Sequence, residues 1–325
     1  EDHSPVDARF RKPKVKGVVA NAICAAMIGG EEYPSTAIGI NLPNADWIRA
    51  QHGSKSVTIT NFTSAYNKAA QGNGFLEEFA CDADTVALVR KYGDACDDLH
   101  TDLHECLGHG SGRLLPGTDP DALKAYGNTI EEARADLFGL YYMADPKMLE
   151  LGLVPDMEAY KSHYYTYIMN GMLTQNVRIN PGADIEEAHM RNRALIANWC
   201  YRNADGCMEL VKRDGKTYLV IHDYVRLRHL FALLLAEVQR IKSEGDYEAA
   251  KNLVEEYGVK IDRELHAEVL ERYKKLNIAP YKGFLNARMT PVFDASGEIT
   301  DVQLDFSETL EEQMMRYSRD YSVEI

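Results

Sequence analysis

Two histidines five residues apart, in His104-Glu105-Cys106-Leu107-Gly108-His109, place the tightest demand on how this chain can fold. On a regular α-helix, positions i and i+4 share a face. The familiar His-Glu-x-x-His segment uses that face to aim two imidazoles at one metal ion, with the glutamate as general base. One extra residue turns the imidazoles about 140° apart around the helix axis. The rings can converge only if the helix widens locally, as it does in single-turn π-bulges, which are frequent at functional sites. Gly108, lacking a Cβ, eases such a distortion beside the second histidine. The spacing therefore predicts a π-widened turn that turns His104 and His109 toward one ion.

A catalytic zinc takes three protein ligands and keeps one position open. Downstream stands Glu131-Glu132-Ala133-Arg134-Ala135-Asp136, within a segment of helical periodicity. Glu132 and Asp136 are four residues apart and so share a helix face. Glu132 supplies the third ligand in this reading, and Asp136 accepts a hydrogen bond from a ligand imidazole, fixing its tautomer and orientation. Glu131 points elsewhere but is close enough to serve the same outer layer. Paired acids at a helix start are usually dipole partners only. The conjunction with the histidine motif is what favours a site. Cys106 could also bind zinc, but its place inside the motif helix favours a packed thiol.

Composition narrows the rest. A net charge of −14 over 325 residues argues against a nucleic-acid binder, which normally shows a basic face. No apolar run approaches the roughly 20 residues that a membrane span needs. Val18–Ile28 is the most apolar stretch, and after a charged, Pro-containing lead-in it reads as a core helix rather than a signal-peptide core. Six scattered cysteines with no CxxC read as buried free thiols. A cytoplasmic location is expected, with the periplasm as the other option.

Elements follow from periodicity and turn chemistry. A helix is expected over Lys16–Met27, and strands over Thr36–Leu42 and Val57–Thr60. Helices are expected over Asp84–Lys91, Asp94–Leu107 and Asn128–Met143, the last with an acidic first turn. Further helices are expected over Pro155–Asn176, Asp184–Asn203, Tyr224–Ser243, Tyr247–Tyr257 and Asp262–Leu276, and another from Glu308. Asp214-Gly215 between alternating segments signals a hairpin, and a second strand pair flanks Ser296-Gly297. The expected class is α-rich α+β, with short strands near 36–60, 207–222 and 287–306. Two segments are expected, a mixed α/β one over 1–80 and a mainly helical catalytic lobe over 81–325.

The two motifs resemble those of the dipeptidyl peptidase III family, HExxGH followed by EExxA(D/E). The likeness extends to LHECLGHGSGRL and EEARADLFGLYYM. Gly39-Ile40-Asn41-Leu42-Pro43-Asn44 is similar to the family's GINxPN segment, and Ala188-His189-Met190 with Arg193 resembles its AHMxxR helix. The resemblance implies one Zn2+ ion on His104, His109 and Glu132, with Glu105 as base and His189 stabilising the transition state. It implies that Gly39, Asn41, Asn44 and Arg193 bind substrate. It further implies release of dipeptides from the free N-terminus of short peptides, in a cleft between two lobes. The short segment between the motifs points to a bacterial-type member. The family chain is about twice this length, so the partner of the helical zinc-bearing lobe is an N-terminal lobe of the same protein. An isolated zinc-binding lobe without hydrolytic activity is the competing reading.

Overall fold

The computed structural model describes residues 1–13, 19–24, 39–43, 48, 51–53, 55–61, 67, 70–278 and 286–322. A small sheet comes first, built from β1 (Val19–Ile23), β2 (Gly39–Leu42) and β3 (Lys55–Ile59) in the order β1-β3-β2. β1 runs parallel to β3 and β2 antiparallel, with Asn41 opposite Ser56. The helix expected over Lys16–Met27 is therefore a strand where it is described. A short apolar run cannot separate the two by periodicity alone, and residues 21–24 are exposed instead of presenting a buried helical stripe. Among the described residues, β2 is an edge strand.

Helices follow: α1 (Phe75–Phe79), then α2 (Ala83–Leu103), opened by the Asp82 carboxylate accepting from the Thr85 N–H. The two helices expected over Asp84–Lys91 and Asp94–Leu107 are one, because Gly93 does not break it. α2 passes into a π-helical turn over His104–Gly108. Next come α3 (Gly127–Met143), α4 (Pro146–Glu150), α5 (Ala159–Met172) and α6 (Ala188–Arg202). β4 (Met208–Arg213) and β5 (Lys216–Ile221) form the expected hairpin, with Asp214 and Gly215 at φ of 51° and 78°, the two-residue geometry that Asp-Gly favours. α7 (Tyr224–Glu244), α8 (Tyr247–Val254) and α9 (Arg263–Leu276) precede a second hairpin, β6 (Arg288–Phe293) with β7 (Ile299–Asp305), and α10 (Leu310–Tyr321).

Three helices differ from expectation in their bounds. The fifth helix begins at Ala159, not Pro155, and yields to a 3-10 turn at Thr174. The sixth begins at Ala188 because Glu187 caps it; Asp184 instead binds Lys260 and Arg263. The helix expected over Tyr247–Tyr257 stops at Val254 and continues as a π turn over Glu255–Val259.

The architecture is α-rich α+β, with α3 at its centre. α3 touches α2, α6, α7 and the π turn, and Ile130, Ala133, Leu137 and Leu140 on it are fully buried. A helix enclosed on nearly all sides needs an apolar circumference, and each buried Leu or Ile contributes about 1.5–3 kcal/mol. The buried charged exceptions on α3, Arg134 and Asp136, therefore require partners. Among the described residues, no helix is long and apolar enough to cross a membrane. Cys96, Cys200 and Cys207 are buried free thiols as expected, whereas Cys24 is exposed.

Candidate metal centre

The π turn closes with the His109 N–H donating to the His104 carbonyl at 3.0 Å, the i to i+5 bond that defines such a turn. It brings the His104 and His109 rings to 4.7 Å between centroids, nearly perpendicular. Gly108 serves a purpose beyond easing the distortion. A Cβ there would lie 2.6 Å from the Ala135 Cα on α3, so the glycine lets the turn press against the helix that carries the acidic motif. Glu131 and Glu132 fall in the second turn of α3 and not in its first, because the helix begins at Gly127. They are not serving the helix dipole, whose influence fades within the first turn.

Glu132 meets both histidines. Its Oε2 lies 3.3 Å from His104 Nε2 and 3.9 Å from His109 Nε2, and the three groups form a cluster that could hold a metal ion. This oxygen is buried and has no partner in hydrogen-bonding geometry. A buried carboxylate oxygen facing two imidazole nitrogens is costly unless a cation or proton sits between them. Two imidazoles and one carboxylate are a donor set that suits zinc, so the residues present fit the ion.

The outer layer is well defined. His109 Nδ1 donates to Glu131 Oε1 at 2.8 Å, and Arg134 grips the same carboxylate with Nε and Nη2 at 3.0 and 2.8 Å. Lys242 from α7 adds a second cation. Burial would raise the Glu131 carboxyl, but Arg134, Lys242 and His109 together hold it well below the usual range. His104 Nδ1 donates to Asp136 Oδ1 at 2.7 Å. Asp136 also accepts from His100 Nε2 (3.0 Å), the Tyr167 hydroxyl (2.6 Å) and Asn192 Nδ2 (2.9 Å). Burial works against this carboxylate too, and its donors hold it well below the usual range. For His104, burial opposes protonation, yet the Asp136 and Glu132 carboxylates outweigh it and push the imidazolium up to about 10. His100, His104 and Asp136 also lie close enough to form a metal-sized cluster. However, both Asp136 oxygens are already saturated with N–H and O–H donors, so this group is a hydrogen-bonded anchor.

Around the centre, Glu105 is buried. A Cβ at Gly39 would lie 2.7 Å from Glu105 Oε1, so the edge strand β2 runs directly against that carboxylate. Asn41 turns inward: its Nδ2 donates to Ser56 Oγ at 2.8 Å and to the Glu105 carbonyl at 3.2 Å, binding the sheet to the π turn. The Thr58 hydroxyl adds a bond to Asp102 at 2.6 Å. Asn44 lies outside the described residues.

His189 stands at the start of α6, its Nε2 3.5 Å from Glu132 Oε2 and its side chain 55% exposed. Glu187, which caps the helix, also accepts from His189 Nδ1 at 2.7 Å. Arg193 is one turn further along α6, partly buried, near Tyr167. Cys106 is not among the metal-sized clusters of the described residues; burial pushes its thiol upward.

Sequence reasoning missed Arg134, Glu187, His100, Tyr167 and Asn192. Two of them left a local signal: His100, four residues before His104, and Arg134, three residues after Glu131, each on its partner's helix face.

Known proteins carry similar sequences and shapes. Dipeptidyl peptidase 3 of Rattus norvegicus is 26% identical over 300 residues, covering 79% of this chain and 40% of the relative. That of Homo sapiens is 25% identical over the same span. The structure of dipeptidyl-peptidase III from Corallococcus sp. strain EGB superposes with a TM-score of 0.67 at 25% identity, over 87% of this chain and 50% of that one. The structure of DPP III from Caldithrix abyssi, at 23% identity and a TM-score of 0.63, shares the fold over 86% of this chain and 50% of that one. The chain thus spans half or less of the length of these relatives. A family model described as Peptidase family M49 matches residues 33–125 and 118–278, well over half of the sequence, and the chain belongs to that family.

Proposed function

We propose that this chain is the zinc-bearing part of a peptidase that releases dipeptides from the free N-terminus of short peptides. The single observation that carries the metal reading is the convergence of His104, His109 and Glu132, with a buried Glu132 oxygen lacking a hydrogen-bond partner. Membership of the family and the names of the similar relatives support peptide hydrolysis and dipeptide release. A zinc ion held by these residues supplies Lewis acidity, acidifying water and polarising a scissile carbonyl.

The chain's own groups have the following roles in this proposal. Glu105 takes the proton of the attacking water and returns it to the leaving amine. His189, held at Nδ1 by Glu187, donates from Nε2 as the imidazolium toward the developing oxyanion, a contribution of about 3–4 kcal/mol per donor where such donors have been measured. The edge of β2 aligns an extended peptide by main-chain bonding, and the absence of a side chain at Gly39 lets that strand lie directly against the Glu105 carboxylate. Arg193 contacts substrate from α6. The Asn41 amide serves that alignment indirectly, by holding the strand against the Glu105 carbonyl. Asp136 and Glu131 fix the Nδ1–H of His104 and His109, which leaves both Nε2 atoms as the nitrogens that would hold the ion.

The partner proposed for this unit is a second lobe of the same polypeptide, since relatives are about twice as long. The hairpin face formed by Met289, Phe293, Ile299, Val302 and Leu304 is exposed and apolar, as a surface covered by another lobe would be. For the same reason a second reading stands, in which this piece binds zinc and hydrolyses only when the other lobe is present.

Glu105→Gln is the direct test. Zinc content should stay at one per chain, while release of dipeptidyl-naphthylamide falls by three orders of magnitude or more in the longer protein. Retained turnover removes Glu105 as the base. The mass of the product from a defined pentapeptide separates dipeptide release from single-residue or internal cleavage.

A further inference from the structure

We infer that His100 is a positioning residue for the metal ligand His104, acting through Asp136; this rests on the metal reading above. Asp136 is buried on α3 and receives four donors from four other elements: His100 at the end of α2, His104 at the start of the π turn, Tyr167 on α5 and Asn192 on α6. The donors are not equivalent. Tyr167 and Asn192 share Oδ2, whereas His100 shares Oδ1 with His104 itself. A carboxylate oxygen has two lone-pair directions in its plane. By filling one of them, His100 leaves the other as the acceptor for His104 Nδ1, and so sets the angle at which that ring presents Nε2 to the metal.

Placement on the chain supports this role. His100 precedes His104 by four residues on the last regular turn of α2, just before the helix widens. The π turn begins at His104, so the backbone there is the least able to fix the ring by helical geometry alone. His100 is held by close packing: a Cβ on Gly139 would come within 2.8 Å of its Nδ1, and the His163 ring lies against it, tilted by 31° at 4.5 Å between centroids. Burial, then repulsion from His163, depresses the His100 imidazolium to about 4. The ring is neutral, with its one proton on the nitrogen facing Asp136. No direct metal contact is needed, and the cluster of His104, His109 and Glu132 does not include His100.

The test exploits side-chain geometry. Glutamine carries its amide nitrogen as many bonds from Cβ as histidine carries Nε2, so His100→Gln keeps the donor. His100→Asn places the amide one bond short, and His100→Leu removes it. Zinc affinity of the full chain is measured by chelator competition. The Leu and Asn variants should bind zinc about tenfold to a hundredfold more weakly, and Gln within a few-fold of the parent. In the cobalt-substituted protein the ligand-field bands should shift for Leu and not for Gln. Combining His100→Leu with Asp136→Asn should weaken zinc no further than Asp136→Asn alone, since coupling through one group is not additive.

Equal zinc affinity and cobalt spectra for parent and Leu variant would overturn the inference. So would a Gln variant as weak as Leu, which would make packing the cause. If His100→Leu does not fold, the difference in zinc affinity between Gln and Asn decides in its place. Failure of the parent itself to bind zinc would sink the metal reading, a distinct result.

Discussion

Gly108 and Ala135 are in backbone-to-backbone contact, the π turn of the first motif lying directly on the helix of the second. A Cβ added to Gly108 would fall 2.6 Å from the Ala135 Cα and 2.9 Å from its carbonyl oxygen. Neither atom can move aside as the tip of a flexible side chain could. Gly108→Ala should therefore push the turn off α3, costing about 1–3 kcal/mol as overpacking. It should separate His109 from Glu132, which already lie 3.9 Å apart at Nε2 and Oε2. Thermal unfolding with and without zinc checks both effects. The expected result is a lower melting temperature in each state, and a smaller gain on adding zinc than the parent shows.

Gly39 makes the corresponding approach from the sheet. Its missing Cβ leaves 2.7 Å to Glu105 Oε1, the end of a side chain that can shift by rotation. Gly39→Ala should therefore fold and bind zinc like the parent, yet displace the proposed base and crowd the strand's edge. Misplacing a reacting group by about an ångström can cost a hundredfold. A kcat loss of about tenfold to a hundredfold, with zinc content unchanged, is expected in the full-length enzyme. Unchanged kcat would detach β2 from the chemistry.

How much of this arrangement is legible in the sequence depends on whether the information is local. The π turn is legible because the spacing of His104 and His109 is itself a geometric statement about a helix. The shared face of Glu132 and Asp136 is legible for the same reason. Contacts to Asp136 from Tyr167 and Asn192 are not, since nothing in the periodicity of α5 or α6 says which buried carboxylate their polar atoms will find. The same applies to Lys242, which reaches Glu131 from over a hundred residues away. β1 reads as a helix because a short apolar run fits either state until its pairing with β3 is known. Asn41 reads as a peptide-binding group, and only the register that sets it opposite Ser56 reveals the inward bond to the Glu105 carbonyl.

Glu187 holds two tasks in one carboxylate. It caps α6 by accepting from the N–H groups of His189 and Met190, and it accepts from His189 Nδ1. Glu187→Ala should cost about 1 kcal/mol for the lost cap. If His189 serves the reaction, the same change should lower kcat about tenfold or more while leaving zinc bound, because the ring loses the partner that orients it. Glu187→Gln retains an acceptor for the cap and should restore most of the stability. Calorimetry and steady-state rates on the two variants separate the structural loss from the catalytic one.

Arg272 supplies a pH dependence remote from the metal. Its guanidinium is buried on α9, bonded to Glu78 at 2.8 Å and Glu268 at 3.0 Å, and it lies over the Phe79 and Tyr218 rings. Burial would raise the Glu78 carboxyl, but Lys216 and Arg272 outweigh it and hold it below its ordinary 4.5. Burial likewise works against Glu268, where bonds from Thr217 and Arg272 prevail. A carboxyl depressed by folding contributes stability that is full above its unfolded value near 4.5 and is lost as pH falls through its lower folded value. Arg272→Met leaves both carboxylates without that cation, and breaking a buried pair in this way costs about 3–5 kcal/mol. The variant should melt well below the parent at pH 7. The gap should then narrow on acidification below pH of about 4.5, because protonation relieves Glu268, left without a cation in the variant, and Glu78, left with Lys216 alone, while it removes the parent's ion pairs. Melting curves of parent and variant at matched zinc, from pH 7 down to the acid limit, give the comparison. A gap that is constant with pH would assign Arg272 to ring packing instead of charge.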